Sequence, residues 1–146
     1  MSPLPDSPTV RRHHALVVVE SGCDRLAWRR ARASAGAAAT TVVQRPGEST
    51  SALVARAVTE LGPATSSLFL VAAPRMDAHT LDARAQLLRA FADETAHLER
   101  RTIQLDGGGA ARFAMEALSE MASEQLRSTG IRVLGPSESD ARRVAA

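Results

Sequence analysis

The residues in this chain that could do chemistry fall in a few places. Gly107, Gly108 and Gly109 stand between a β-like run and a helical pattern. Glycines let a backbone approach a ligand closely, and a helix N-terminus offers free N–H groups and the positive end of its dipole, so a turn of this kind can hold phosphate. The simpler reading is a βα turn without a ligand, because neither Gly-x-Gly-x-x-Gly nor a Walker-type lysine motif accompanies it. Glu20 and Asp106 end two of the β-like runs. Paired acids at adjacent strand ends could bind Mg²⁺ as in a ribonuclease-H-like nuclease, but that chemistry wants a further carboxylate. The run Ser67 to Ala73 leads into Pro74 and supplies none.

Other candidates are weaker. Cys23 precedes a helix start, where the dipole and Arg25 would lower a thiol pKa, yet no histidine is near it in sequence. His13 and His14 fall near the N-terminal tail, and His79 and His97 are too far apart for ligand spacing, so a solvated role fits them. Arg25, Arg29, Arg30 and Arg32 form the densest basic cluster, which could meet phosphate or an acidic partner, or simply be a solvated helix face. Single-strand nucleic-acid binding adds aromatic platforms. The aromatic residues are only Trp28, Phe69, Phe91 and Phe113, and the three phenylalanines fall at expected core positions.

The elements that must position these residues are legible from periodicity. Strands are expected at Ala15–Glu20, Thr40–Gln44, Ser67–Ala72, Thr102–Leu105 and Ile131–Leu134, all reading as continuous rather than alternating runs. Ser49 or Thr50 can cap a helix with Leu53, Val54, Ala57, Val58 and Leu61 on one face, stopped by Gly62-Pro63. Asp77 or Thr80 can open a longer one in which Leu81, Ala85, Leu88, Phe91, Ala92, Thr95 and Leu98 recur, with Arg84 among its more polar positions. After the glycines, Phe113, Ala114, Ala117, Leu118, Met121, Gln125 and Leu126 mark a helix ending at Gly130. Between Asp24 and Gly36 both caps and propensity favour a helix. The alternative there is a strand centred on Leu26–Trp28, which would begin a ribonuclease-H-like meander. With the helix, the order is βαβαβαβαβ, an α/β three-layer sandwich on a five-stranded, mainly parallel sheet.

Composition bounds the rest. At 146 residues, with 45% apolar and 23% charged, the chain suits one soluble domain, expected over residues 13–136 between polar tails at 1–12 and 137–146. No apolar run is long enough to span a bilayer, and the N-terminus lacks a signal-peptide pattern, so a cytoplasmic location is expected. A single cysteine excludes an intrachain disulfide. All 18 basic residues are arginine, and lysine, asparagine and tyrosine are absent. Those three have A/T-rich codons, which points to a GC-rich bacterial genome. The pI of about 9.8 then reflects arginine in place of lysine, and with a net charge of only +2 a nucleic-acid partner is not implied.

The element order and three segments resemble the universal stress protein superfamily, whose fold is adenine-nucleotide α-hydrolase-like. Ala15 to Gly22 followed by Asp24 to Ala31 is similar to its first strand, acidic residue and first helix, and Gly36 to Val43 is similar to its second strand. Asp106 to Leu134 matches the frame in which ATP-binding members cradle phosphate between spaced glycines and a final Gly-Ser or Gly-Thr. Here that frame places Asp106, Gly109 and then Ser119-Glu120, so only the middle glycine is kept and two carboxylates face the place of a triphosphate. The resemblance implies a nucleotide site drawn from Glu20, Val43, Gly107, Gly108, Gly109 and Ser119, degenerate toward ATP, with no catalytic residue and no metal or other cofactor. It implies a non-catalytic, stress-related regulatory or binding protein that dimerises with itself through its last strand. The alternatives are a nucleotide- or metal-dependent enzyme using the strand ends near Glu20 and Asp106, and a ribonuclease-H-like domain binding RNA or the ribosome.

Overall fold

The computed structural model describes residues 14–136, so the expected tails at 1–12 and 137–146 lie outside the described residues. Strands and helices alternate throughout: β1 (His14–Val19), α1 (Arg25–Ala35), β2 (Thr40–Val43), α2 (Thr50–Thr59), β3 (Thr65–Val71), α3 (Ala78–Glu94), β4 (Arg101–Asp106), α4 (Arg112–Gln125) and β5 (Ile131–Leu134). The segment after Asp24 is a helix, which removes the meander alternative. Asp24 caps it by accepting from Leu26 N, and Gly36, at φ +92°, ends it. Ser49 and Asp77 cap α2 and α3 in the same way, through Ala52 N and Thr80 N.

The sheet is wholly parallel, in the order β2-β1-β3-β4-β5. This is the flavodoxin-like order of doubly wound sheets, with its switch point between β1 and β3. The chain moves one way across the sheet from β1 to β2 and the other way from there on. Right-handed crossovers therefore place α1 on one face and α2, α3 and α4 on the other. Side-chain clusters follow that division. Leu16, Val18, Leu68, Leu70, Ile103 and Leu105 pack beneath Leu53, Leu87, Phe91, Met115 and Leu118. Val17, Val19, Phe69 and Val71 pack beneath Ala27 and Ala31, with Trp28 partly buried beside them. Each fully buried leucine or phenylalanine contributes about 2–3 kcal/mol of apolar transfer.

Because α1 covers the sheet near β1 and β3, β4 is not the continuous apolar strand expected. Its residues alternate: Ile103 and Leu105 are buried, while Thr102, Gln104 and Asp106 on the α1 side are half-buried. The buried face of α3 also differs from the expected one. It runs through Thr80, Ala83, Arg84, Leu87, Leu88, Phe91 and Ala92, leaving Leu81 exposed.

One charged residue ties the lower end of this layer together. Arg101, at the start of β4, is 6% exposed, and its guanidinium donates to Ala92 O at the end of α3, to Thr95 Oγ1 and to Thr129 O beyond α4. A cation at the negative ends of two helix dipoles is well placed. Arg101→Leu is expected to lower stability by about 2–3 kcal/mol, read as a lower urea midpoint with an unchanged slope. An unchanged midpoint would remove this role.

Candidate functional site

In an open parallel sheet, ligands bind outside the carboxyl ends of the strands at the switch point. Here that crevice lies between the ends of β1 and β3, and a buried ion pair fills it. Glu20 follows β1 and is 1% exposed. Its Oε2 accepts from Arg84 Nε at 2.7 Å, and its Oε1 accepts from Arg84 Nη2 at 2.7 Å and from Ala73 N at 2.9 Å. Arg84 reaches up from the second turn of α3 and also donates to Ala73 O and Arg75 O. Both side chains are wholly buried. The acid that the resemblance places beside a nucleotide is thus turned inward, its charge matched by a planar guanidinium.

The glycine turn is close-packed as well. A Cβ on Gly107 would lie 2.5 Å from Ala111 Cβ and 3.1 Å from Ala72 O. Gly108, at φ +61°, lies against Asp24, and a Cβ there would overlap Asp24 Oδ2. Two of the three glycines are therefore required by packing and backbone conformation, and a carboxylate lies beside the second. Gly109, at φ +44°, faces open space. Asp106 accepts from Gly107 N at 2.8 Å and holds Arg30 of α1 through Nε and Nη2 at 3.1–3.2 Å.

A third carboxylate repeats the arrangement. Glu48, in the loop after β2, accepts from Arg56 Nε at 2.7 Å, Arg56 Nη2 at 2.8 Å and Arg45 N at 2.9 Å. These bonds, that of the Arg56 side chain first, lower the Glu48 pKa to about 2. Arg56 also donates to Val43 O, which blunts the outer edge of β2. Gln44 is buried and fixes the neighbouring loops, accepting from Ser21 N at 2.7 Å and donating to Glu48 O at 2.6 Å.

The strand ends bring Glu20, Val43 and Gly107 to Gly109 to one rim of the sheet. Val43, the last residue of β2, is 39% exposed there. Ser119 does not join them. It lies two turns into α4, buried, donating to Glu116 O and packed beneath Gly135. Cys23 also departs from expectation: burial first, then the charges of Asp24 and Glu20, push its thiol pKa up rather than down. Phe113, expected in the core, is 88% exposed on the first turn of α4. His14 meets Thr40 Oγ1, and His97 meets Pro63 O. Among the described residues, no group of three or more His, Cys, Asp or Glu could hold a metal ion. No helix among them is long and apolar enough to cross a membrane.

Sequence reasoning missed the roles of Arg84, Arg56 and Gln44, and named Arg30 only as one of a basic cluster, without the Asp106 carboxylate it meets. An arginine at an interior position of an otherwise apolar helix face was the available signal for Arg84. Fold and site together define a doubly wound parallel α/β domain in which three rim carboxylates, Glu20, Glu48 and Asp106, are each paired with an arginine from a helix. No protein-family model, curated protein or solved structure matches the chain.

Two outcomes follow from the ion pairs. Arg84→Met, which leaves Glu20 buried without its partner, is expected to cost about 3–5 kcal/mol in urea unfolding, and adding Glu20→Leu should recover part of that loss. A double variant no more stable than the single one would contradict this. For Glu48, ¹³C NMR should show titration near pH 2, moving up toward the ordinary 4.5 in Arg56→Gln. Because the folded pKa is depressed, the pair's contribution to stability is complete above the unfolded value and is lost as pH falls toward 2.

Proposed function

We propose that this chain is a non-catalytic regulatory or binding domain, resembling the universal stress proteins, in which the protein's own ion pairs replace contacts to a nucleotide. One observation carries the reading: Glu20, Asp106 and Glu48 each already hold a guanidinium, from Arg84, Arg30 and Arg56. An ionised carboxylate bound in this way is a poor general base and a poor metal ligand. A phosphate approaching the glycine turn would also meet the Asp24 carboxylate beside Gly108, and like charges at contact distance repel by a few kcal/mol at the modest dielectric of a protein surface. The stress-related role, the bacterial cytoplasmic setting and pairing of two copies through β5 are proposed on sequence likeness and composition. β5 stands at one end of the sheet's order, so its outer edge has no neighbouring strand among the described residues.

Thermal-shift measurements with ATP, ADP and AMP, with and without Mg²⁺, test the reading directly. A ligand that binds only the native state raises the midpoint. Millimolar nucleotide is expected to leave it unchanged, and a dose-dependent rise would overturn the proposal. Light scattering in the micromolar range should give the mass of two chains, and a monomer mass would remove the β5 pairing.

A further inference from the structure

Among the described residues α1 is the one helix on its face of the sheet, and it leaves a flank of that face open. Its Ala27 and Ala31 pack over β1 and β3, against Val17, Val19, Phe69 and Val71. β2 lies beyond that cover at the edge of the sheet, and Thr41, which pairs with Val17, is exposed. Between the flank of α1, the turn that follows it and β2 is a cavity of about 470 Å³, with Val17, Arg29, Arg32, Ala33, Ala39 and Thr41 in its lining. That volume lies in the range of small-molecule sites. The cavity is not the crevice described above, since none of Glu20, Arg84, Asp106 or Gly107 to Gly109 lines it.

The lining carries charge of one sign. Arg29 and Arg32 supply two guanidinium groups, no acid lines the cavity, and residues 25–47 contain no aspartate or glutamate. Arg30 leaves α1 on the opposite flank, where Asp106 of β4 holds it, and Asp24 caps the far end of the helix. Neither Arg29 nor Arg32 has a hydrogen-bond or ion-pair partner among the described residues. A basic residue in the last turn suits the negative end of a helix, which accounts for Arg32 but not for Arg29 a turn earlier. Three positions apart on a helix, the two side chains are neighbours and can converge on one anion. The walls beside them are the methyl groups of Val17, Ala33 and Ala39, with the Thr41 hydroxyl among them. We propose that this cavity binds a small organic oxyanion, a carboxylate or phosphate monoester on a compact aliphatic body. The arginines hold the head group by parallel N–H···O bonds and the methyl groups cover the body. A nucleotide fits poorly, because its ribose and base carry polar groups that methyl walls leave unpaired. The site goes beyond the reading of the rim and does not depend on it.

The experiment is calorimetric titration with cyclohexanecarboxylate, cyclohexyl phosphate, cyclohexanol and inorganic phosphate, with single-stranded RNA in a parallel arm. Fluorescence of Trp28, the only tryptophan and one turn of α1 from Arg32, gives a local signal. At least one of the two organic anions should bind saturably, and which one does names the head group. Cyclohexanol and inorganic phosphate should each bind about ten-fold more weakly or less. Arg29→Ala with Arg32→Ala should weaken binding about ten-fold or more, and Ala33→Leu should weaken it as much by filling the cavity while keeping both charges. Arg25→Ala, which removes one positive charge at the other end of α1, should leave it unchanged. These four positions are exposed, so the variants should keep the wild-type thermal midpoint. Absence of saturable binding by either anion, equal binding of cyclohexanol or inorganic phosphate, or binding indifferent to the double arginine variant or to Ala33→Leu would overturn the proposal. RNA binding through the same arginines without binding of either anion would overturn it in favour of a nucleic-acid contact. A nucleotide-induced thermal shift that persists in the double variant would instead strike the reading of the rim, so the two failures are distinguishable.

Discussion

The structure turns on the buried pair of Glu20 and Arg84. Removing two charges from water costs several kcal/mol per ion, and the pair is tolerable only because its geometry is nearly saturated. The carboxylate accepts from two guanidinium nitrogens and one backbone N–H, and the guanidinium gives further bonds to two carbonyls of the loop after β3. One interaction therefore fixes the end of β1, the exit from β3 and the height of α3 above the sheet. It does so at the point where a doubly wound fold is otherwise open.

The same solution recurs along the rim. Asp106 is held by α1 and Glu48 by α2, so each of three helices sends an arginine to a carboxylate at or after a strand end. Guanidinium suits this use because it stays charged on burial and matches a carboxylate with two parallel bonds. A chain whose basic residues are all arginine can build such contacts wherever a helix crosses a strand end. The composition that argues against reading the high pI as nucleic-acid binding thus acquires a structural meaning.

Much of the fold was legible because it rests on local signals. Asp24, Ser49 and Asp77 cap the helices they were expected to cap and Gly36 ends α1 at positive φ, whereas α4 stops at Gln125 and Gly130 closes only the 3₁₀ turn that follows it. The apolar runs fixed the strands to within about two residues, as boundary readings allow. Site geometry was harder to read because it is non-local. Arg84 lies 64 positions from Glu20, and Arg30 lies 76 from Asp106. No periodicity links such pairs: helical spacing sets Arg84 on the face of Leu88 and Phe91 but says nothing of the carboxylate it meets there. The glycines were recognised as a special turn, but their cause was hidden: Gly107 and Gly108 are demanded by Ala111, Ala72 and Asp24, which only the folded chain brings near. Phe113 was misplaced for the opposite reason, since helical spacing assigns it to the core while the short turn Gly109–Ala111 sets where α4 begins and which way its first turn faces.

Arg101 has a consequence for how this molecule opens. It belongs to β4, yet its bonds end on the helix that precedes that strand and on the turn that follows the next helix. Withdrawing β4 from the sheet therefore frees the last turn of α3 and the turn that follows α4 together. A single side chain thus couples consecutive parts of the chain, so that opening at β4 loosens its neighbours as well.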